Sequence, residues 1–263
     1  MTVLLVPRPG ASVRLAAAAR AAMHLAATLC GASCELVRYV GPNRAADPYS
    51  AAGRHAPVIL VHGYGGTEEV WGSLRQALVD AGFSYVVALR YNAVTYGVAD
   101  VADQLVEEAR IAAGRTGGAT VHIVGHSLGG LVARYAVQWR GLATDVLTVV
   151  TIATPHSGTS FAWLGPGACA RQMRPGSVFL KNLRSTRPQP GTRWVAYYSA
   201  ADRVVRPGSG MLDEGWCDVM NVQVPDSGHF SITQHAGVVS SIVAELIGSE
   251  DRRQQPIGLR RVI

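Results

Sequence analysis

The chain has 263 residues, of which 48% are hydrophobic and 16% charged, too apolar for a disordered chain and long enough to bury a full-sized core. Its 29 glycines and 13 prolines follow no period, which excludes a collagen-like fibre. Twenty-four basic against 18 acidic residues leave a formal charge of +6, but the basic residues are scattered and only 7% of residues are aromatic, so nucleic acid is not the expected partner.

Residues 1–54 read as a leader: a short apolar start, an Ala-rich helix and a polar loop reaching His55. The run Leu15–Leu29 has Arg8 and Arg14 ahead of it, as an export signal would. Arg20 and His24 interrupt it, however, and no A-x-A cleavage site follows. The fourteen uncharged residues from Ala21 to Cys34 are too few to span a bilayer. The compartment is left open between secreted or cell-envelope and cytoplasmic.

From residue 55 to 248 strands alternate with helices. Pro57–His62 is a short β-branched run ending at Gly63, the mark of a buried strand. Val70–Ala81 reads as a helix closed by Gly82, and Phe83–Tyr91 as a second strand. Asp100–Ala113 has a helical period and stops at Gly114. Strand Thr120–Val124, helix Leu128–Trp139 and strand Asp145–Ala153 follow. Trp194–Ala200 and Val219–Val224 are further strands, and Ile232–Ile247 is a closing helix. Such alternation predicts a mostly parallel central sheet with helices on both faces, whose active residues stand at the carboxyl ends of the strands. Residues 156–192, rich in Gly and Pro, break the pattern as a cap- or lid-like insertion. In it Phe161, Trp163, Leu164, Val178, Phe179 and Leu180 either line an acyl groove or pack on the sheet, packing being the simpler reading. No clear amphipathic lid helix is legible in this stretch. The basic tail 249–263 reads as frayed and solvated, although it is compatible with peripheral contact to anionic lipid.

The four cysteines form no CxxC pair and no zinc-spaced Cys/His cluster, so no structural metal is expected. Cys30 and Cys34 lie on neighbouring helical turns, as buried thiols do. Cys169 and Cys217 fall in loop-like stretches, where a disulfide is as plausible as two free thiols.

The sharpest chemical signal is Gly125-His126-Ser127-Leu128-Gly129-Gly130, placed where a strand must turn directly into a helix. Glycines on either side let such an elbow form, lifting the Ser127 hydroxyl clear of the sheet at a helix N-terminus that favours developing negative charge. His62-Gly63-Tyr64-Gly65-Gly66, after the first strand, lets backbone approach a bound ester. The Tyr64 and Leu128 N–H groups are then the expected oxyanion donors. Among eight histidines, His229 follows the last strand and precedes the closing helix, the place for a general base, while His62 and His126 orient their loops. Asp202 ends a strand between Ser127 and His229 and is the expected orienting acid. The competitors are Asp213, Glu214 and Asp218 in a polar loop, Asp226 as a turn former, and Asp145 at the wrong end of its strand.

These stretches, together with Thr151–Thr159, Met173–Leu183 and Ser199–Pro207, resemble the α/β-hydrolase superfamily. Within it the chain resembles bacterial triacylglycerol lipases of the class 2 type, especially actinobacterial ones, over about residues 56–247. The resemblance implies ester hydrolysis through an acyl-enzyme on a Ser127–Asp202–His229 triad, with a small acyl ester or lipid as substrate and Thr154–Gly158 as structural support beside the acid loop. This chemistry calls for no metal or organic cofactor. An acyltransferase, a thioesterase and, less readily, a peptidase share the same residues, and a silent binding module shares the fold. Oligomeric state is not legible.

Overall fold

The computed structural model describes residues 55–254, apart from 119, 213, 214 and 217. The predicted leader and the end of the tail lie outside the described residues, so the Ala-rich helix and the pair Cys30 and Cys34 do too. Strands β1 (Val58–Val61), β2 (Val86–Leu89), β3 (Val121–His126), β4 (Val146–Ile152), β5 (Arg193–Ser199) and β6 (Val219–Val224) form one sheet. Its order is β2-β1-β3-β4-β5-β6 and every neighbouring pair is parallel. Parallel neighbours need long crossovers. Most of these are helical: α1 (Gly72–Asp80), α2 (Val98–Thr116), α3 (Leu128–Trp139), α4 (Gly167–Met173), α5 (Val178–Ser185) and the single turn α6 (Pro207–Gly210), with α7 (Ala236–Gln254) after the last strand.

The period of two along the strands divides the interior. Ile59 and Val61 of β1, Ile123 of β3 and Val149 of β4 pack against α2, α3, α4 and α5. Their neighbours Val58, Leu60, Val124 and Val150 point the other way, against α1 and α7. The central strands β1, β3 and β4 are buried at every position, which explains why their sequences read as continuous apolar runs rather than as alternating ones.

Several boundaries differ from the sequence reading; the second strand is shorter, Val86–Leu89, and the first helix starts at Gly72 after a 3-10 turn, Glu68–Trp71. Helix α2 runs through Gly114 to Thr116, because it is Gly117, at φ 65°, that takes the left-handed turn closing the helix. The closing helix starts later: Ser231–Gln234 is a separate 3-10 turn capped by His235, and α7 begins at Ala236. It also ends later, six residues beyond Gly248. Ser249 there accepts from Thr148 of β4 at 2.7 Å, and the Glu250 carboxylate takes hydrogen bonds from residues at the start of the sheet, so this turn is anchored rather than frayed.

The 156–192 stretch, the expected cap, folds as a 3-10 turn at Ser160–Trp163, then α4 and α5. Leu180 joins the core and Phe179 is half-buried against it, while Phe161, Trp163, Leu164 and Val178 are exposed. Helix α5 is amphipathic, with Leu180 and Leu183 inward and Val178 and Lys181 outward, a pattern not picked out from the sequence. Cys169 is a buried free thiol whose S–H donates to the Tyr96 carbonyl, and Cys217 lies outside the described residues.

Candidate active site

Strand β3 hands the chain to α3 through one residue, Ser127, whose backbone sits at φ 53°, ψ −118°. This conformation is costly for any residue with a side chain and persists only where its surroundings enforce it. They do so by contact. A Cβ on Gly125 would lie 2.5 Å from the Gly130 nitrogen, and one on Gly129 only 2.0 Å from the Val61 carbonyl oxygen. With no side chain at either position, α3 presses onto β1 and β3 and the elbow closes. Backbone hydrogen bonds hold it, with the Ser127 N–H donating to the Ile152 carbonyl and the Gly130 N–H to the Ser127 carbonyl.

The two predicted partners converge on this hydroxyl from far along the chain. His229 Nε2 lies 3.1 Å from Ser127 Oγ, and its Nδ1 lies 2.8 Å from Asp202 Oδ2. The carboxylate is positioned in turn: its Oδ1 accepts from the Val204 and Val205 N–H groups at 2.7 and 2.9 Å, an Asx-type turn built into the loop after β5. With Nδ1–H donating to Asp202, Nε2 is left as the acceptor for the serine proton. All three residues are nearly buried, each with 6–8% of its surface exposed. The rival acids are placed elsewhere. Asp218 pairs with Arg193, Asp226 takes φ 47° in the turn after β6, and Asp145 precedes β4 at the sheet's other end. Asp213 and Glu214 lie outside the described residues.

Tyr64 and Gly65 are the central residues of a turn closed by the Gly66 N–H on the Gly63 carbonyl, with Gly65 at φ 66°. Leu128 is the first residue of α3, where a backbone N–H has no acceptor within the helix. The Gly63–Gly66 turn is braced from below. His62 donates from Nδ1 to the Gly63 carbonyl at 2.9 Å, and its ring stacks on Tyr91 at 4.3 Å. The Tyr91 hydroxyl donates to the His62 carbonyl. Burial lowers the His62 pKa, so the brace is a neutral one. The Tyr64 hydroxyl donates to the Pro166 carbonyl at 2.6 Å, tying this turn to the cap; burial is the main reason its pKa is pushed up to about 12.

His126, inside the elbow, has a role that reaches beyond its own loop. Its Nε2–H donates to the backbone carbonyl of His229 at 2.9 Å, and the two rings stand 4.9 Å apart. Burial, with His229 beside it, pushes the His126 pKa down to about 3, so the ring beside His229 is neutral. Two contributors went unassigned in the sequence. Phe230 packs edge-on against His229 at 5.1 Å while nearly half of it is exposed. Thr159 donates to the Val204 carbonyl, fastening the start of the cap to the acid loop. Phe230 directly follows the predicted base, a signal that was available; the Thr159 contact spans 45 residues and carried none. The Thr154–Gly158 stretch is hydrogen-bonded to α6, which follows the acid loop. His156 N–H donates to the Ser209 carbonyl at 2.8 Å, and the Ser209 hydroxyl donates to the Gly158 carbonyl at 2.7 Å. Among the described residues no group of three His, Cys, Asp or Glu side chains stands where it would hold a metal ion.

Comparison with known proteins places this geometry. A triacylglycerol lipase of Burkholderia plantarii is 36% identical over 126 residues, 45% of this chain and 34% of that protein. A triacylglycerol lipase of Pseudarthrobacter phenanthrenivorans is 35% identical over 125 residues, 44% of this chain and 38% of that protein. The matches thus span little more than a third of the length of these curated relatives. The crystal structure of the mature Bacillus licheniformis lipase BlEst2 superimposes with a TM-score of 0.63 at 18% identity, over 78% of this chain and 96% of that one. The fold is that of the α/β-hydrolases. The palmitoyl protein thioesterase family matches residues 57–203, a stretch running from β1 through the elbow to the acid loop. On that match, which covers more than half of its length, the chain belongs to the palmitoyl protein thioesterase family.

Proposed function

We propose that the protein is a serine carboxylic-ester hydrolase, of lipase or esterase type, acting through an acyl-enzyme intermediate. The observation that carries this reading is the continuous relay Ser127–His229–Asp202, at 3.1 and 2.8 Å, on a strained strand-to-helix elbow. His229 takes the Ser127 proton as the hydroxyl attacks the ester carbonyl, and Asp202 holds the ring and stabilises the imidazolium. The Tyr64 and Leu128 N–H groups receive the oxyanion. Imidazolium then protonates the leaving alcohol, and water, activated by the same base, releases the acid. No metal or organic cofactor has a part in these steps. The two curated relatives are named triacylglycerol lipases, which supports a lipid or acyl ester as substrate class.

The family match favours one second reading, a thioesterase, since the same residues would cleave an acyl thioester with a thiol as leaving group. Fluorophosphonate labelling with peptide mapping tests the shared chemistry: the label is expected on Ser127, and labelling elsewhere or none overturns both readings. Turnover of p-nitrophenyl esters of increasing chain length against acyl-CoA then separates them. Preference for acyl-CoA would assign the thioesterase.

A further inference from the structure

The cap presents a surface that the catalytic reading does not use. Phe161, Trp163, Leu164 and Val178 are 41–72% exposed, four large apolar side chains within one short stretch. Residues 156–192 also contain Arg171, Arg174, Lys181, Arg184 and Arg187 and no aspartate or glutamate at all. Among the described residues none of these five cations is paired with a carboxylate. The two kinds of side chain are interleaved. The Arg174 guanidinium stacks over Trp163 at 4.3 Å, and Lys181 stands one turn after Val178 on the outer side of α5. This face is fastened to the site at both ends, through Thr159 to the acid loop and through Pro166 to Tyr64.

We propose that the outer face of the cap is a docking surface for an anionic phospholipid bilayer. A bilayer interface offers what the face lacks, negative headgroups for the cations and acyl chains for the apolar side chains between them. Charge weighs against the other occupants. The segment 1–54 carries six arginines against Glu35 and Asp47, so it shares the sign of the cap, and a second copy would set like charges against one another. A nucleic acid matches the charge but has nothing to bury Leu164 and Val178 against. The proposal goes beyond the hydrolase reading, and its readout is partition to lipid rather than turnover, so either can fail without the other.

The test is co-sedimentation of the full chain with vesicles of phosphatidylcholine, with and without about 30% phosphatidylglycerol, where the anionic vesicles are expected to bind on the order of 10-fold more tightly or better. Raising salt from about 0.1 to 0.5 M should release the wild-type protein, a check that needs no variant. At about 5-fold per surface cation, the double variant Arg171→Gln/Lys181→Gln should lose on the order of 20-fold in partition with its thermal midpoint unchanged. Trp163→Ser should weaken binding to both vesicle types. Equal partition to neutral and anionic vesicles, no partition at all, or an unaffected double variant overturns the proposal. So does a concentration-dependent dimer that the same substitutions dissolve, or tighter binding to a polynucleotide than to the vesicles.

Discussion

The two ends of the sheet each bury a histidine against a carboxylate, with opposite consequences. At the carboxyl end Asp202 holds one imidazole, and the far nitrogen of that ring reaches a serine hydroxyl. At the amino end Glu250 accepts from His55 Nδ1 at 2.7 Å, His122 Nε2 at 3.0 Å and the Ala56 N–H at 2.8 Å. The far nitrogen of the buried His122 has no hydrogen-bond partner there. The first arrangement ends on a hydroxyl at the elbow, and the second is a clasp joining His55 to α7 across 195 residues of sequence. A buried His–carboxylate contact is therefore no sign of catalysis by itself. What differs is the elbow, which exists only where β3 turns straight into α3.

Substitutions on the two sides should separate these roles. The largest effect is expected for Asp202→Asn, which keeps the shape but leaves the wrong His229 tautomer. kcat for an activated ester should fall on the order of 10⁴-fold with little change in thermal midpoint. Asp226→Asn, in the neighbouring turn, should stay within about 2-fold of wild type. A comparable loss in the Asp226 variant would reassign the orienting acid.

At the other end Glu250→Gln should act on stability alone. Replacing a carboxylate that takes three hydrogen bonds should cost about 2 kcal/mol. In a domain of this size that lowers the thermal midpoint by roughly 4–8 °C. kcat of the folded enzyme should be unchanged within about 2-fold. Calorimetry beside an ester assay checks both halves, and a loss of kcat as large as that of the Asp202 variant would mean that the clasp reaches the site.

The smallest effect is the acid limb of stability. Burial lowers the pKa values of His62, His122, His126 and His156. Glu250 is pushed up by burial, but the hydrogen bonds from His122, His55 and Ala56 outweigh this and leave it below its ordinary value. In each case the unfolded chain binds the proton more readily than the fold does. The stabilising contribution is thus complete above the unfolded pKa and lost as pH falls. The histidines begin to destabilise below about pH 6.5 and Glu250 below about pH 4.5. Thermal midpoints should therefore decline from about pH 6.5 downward, with a shallower decline in Glu250→Gln below about pH 4.5. A midpoint independent of pH over this range would contradict the neutral, buried state of these rings.

Much of the architecture was legible along the chain because it is local. The β-branched runs of β1, β3 and β4 declare themselves through continuous burial, and the glycines around Ser127 declare an elbow that no side chain would allow. Ser127, Asp202 and His229 were singled out by their order and by their place after strands, and the parallel sheet brings the three within hydrogen-bonding distance. The element boundaries were less legible. At α2 two glycines competed to end the helix and only Gly117 adopted the left-handed turn. At α7 the last turn survives because Ser249 and Glu250 find partners on the sheet.

The sequence by itself determined the order of strands and helices, the strained serine turn and the candidates for base and acid, since each depends on neighbours a few residues apart or on the side of a strand. Tertiary structure alone decided that His126 grips the His229 carbonyl, that Cys169 stays a free thiol, that Thr159 fastens the cap to the acid loop and that Glu250 serves as a clasp. Those contacts join residues remote in sequence, and hydrogen bonds of a few ångströms are set by how whole layers pack rather than by any pattern along the chain.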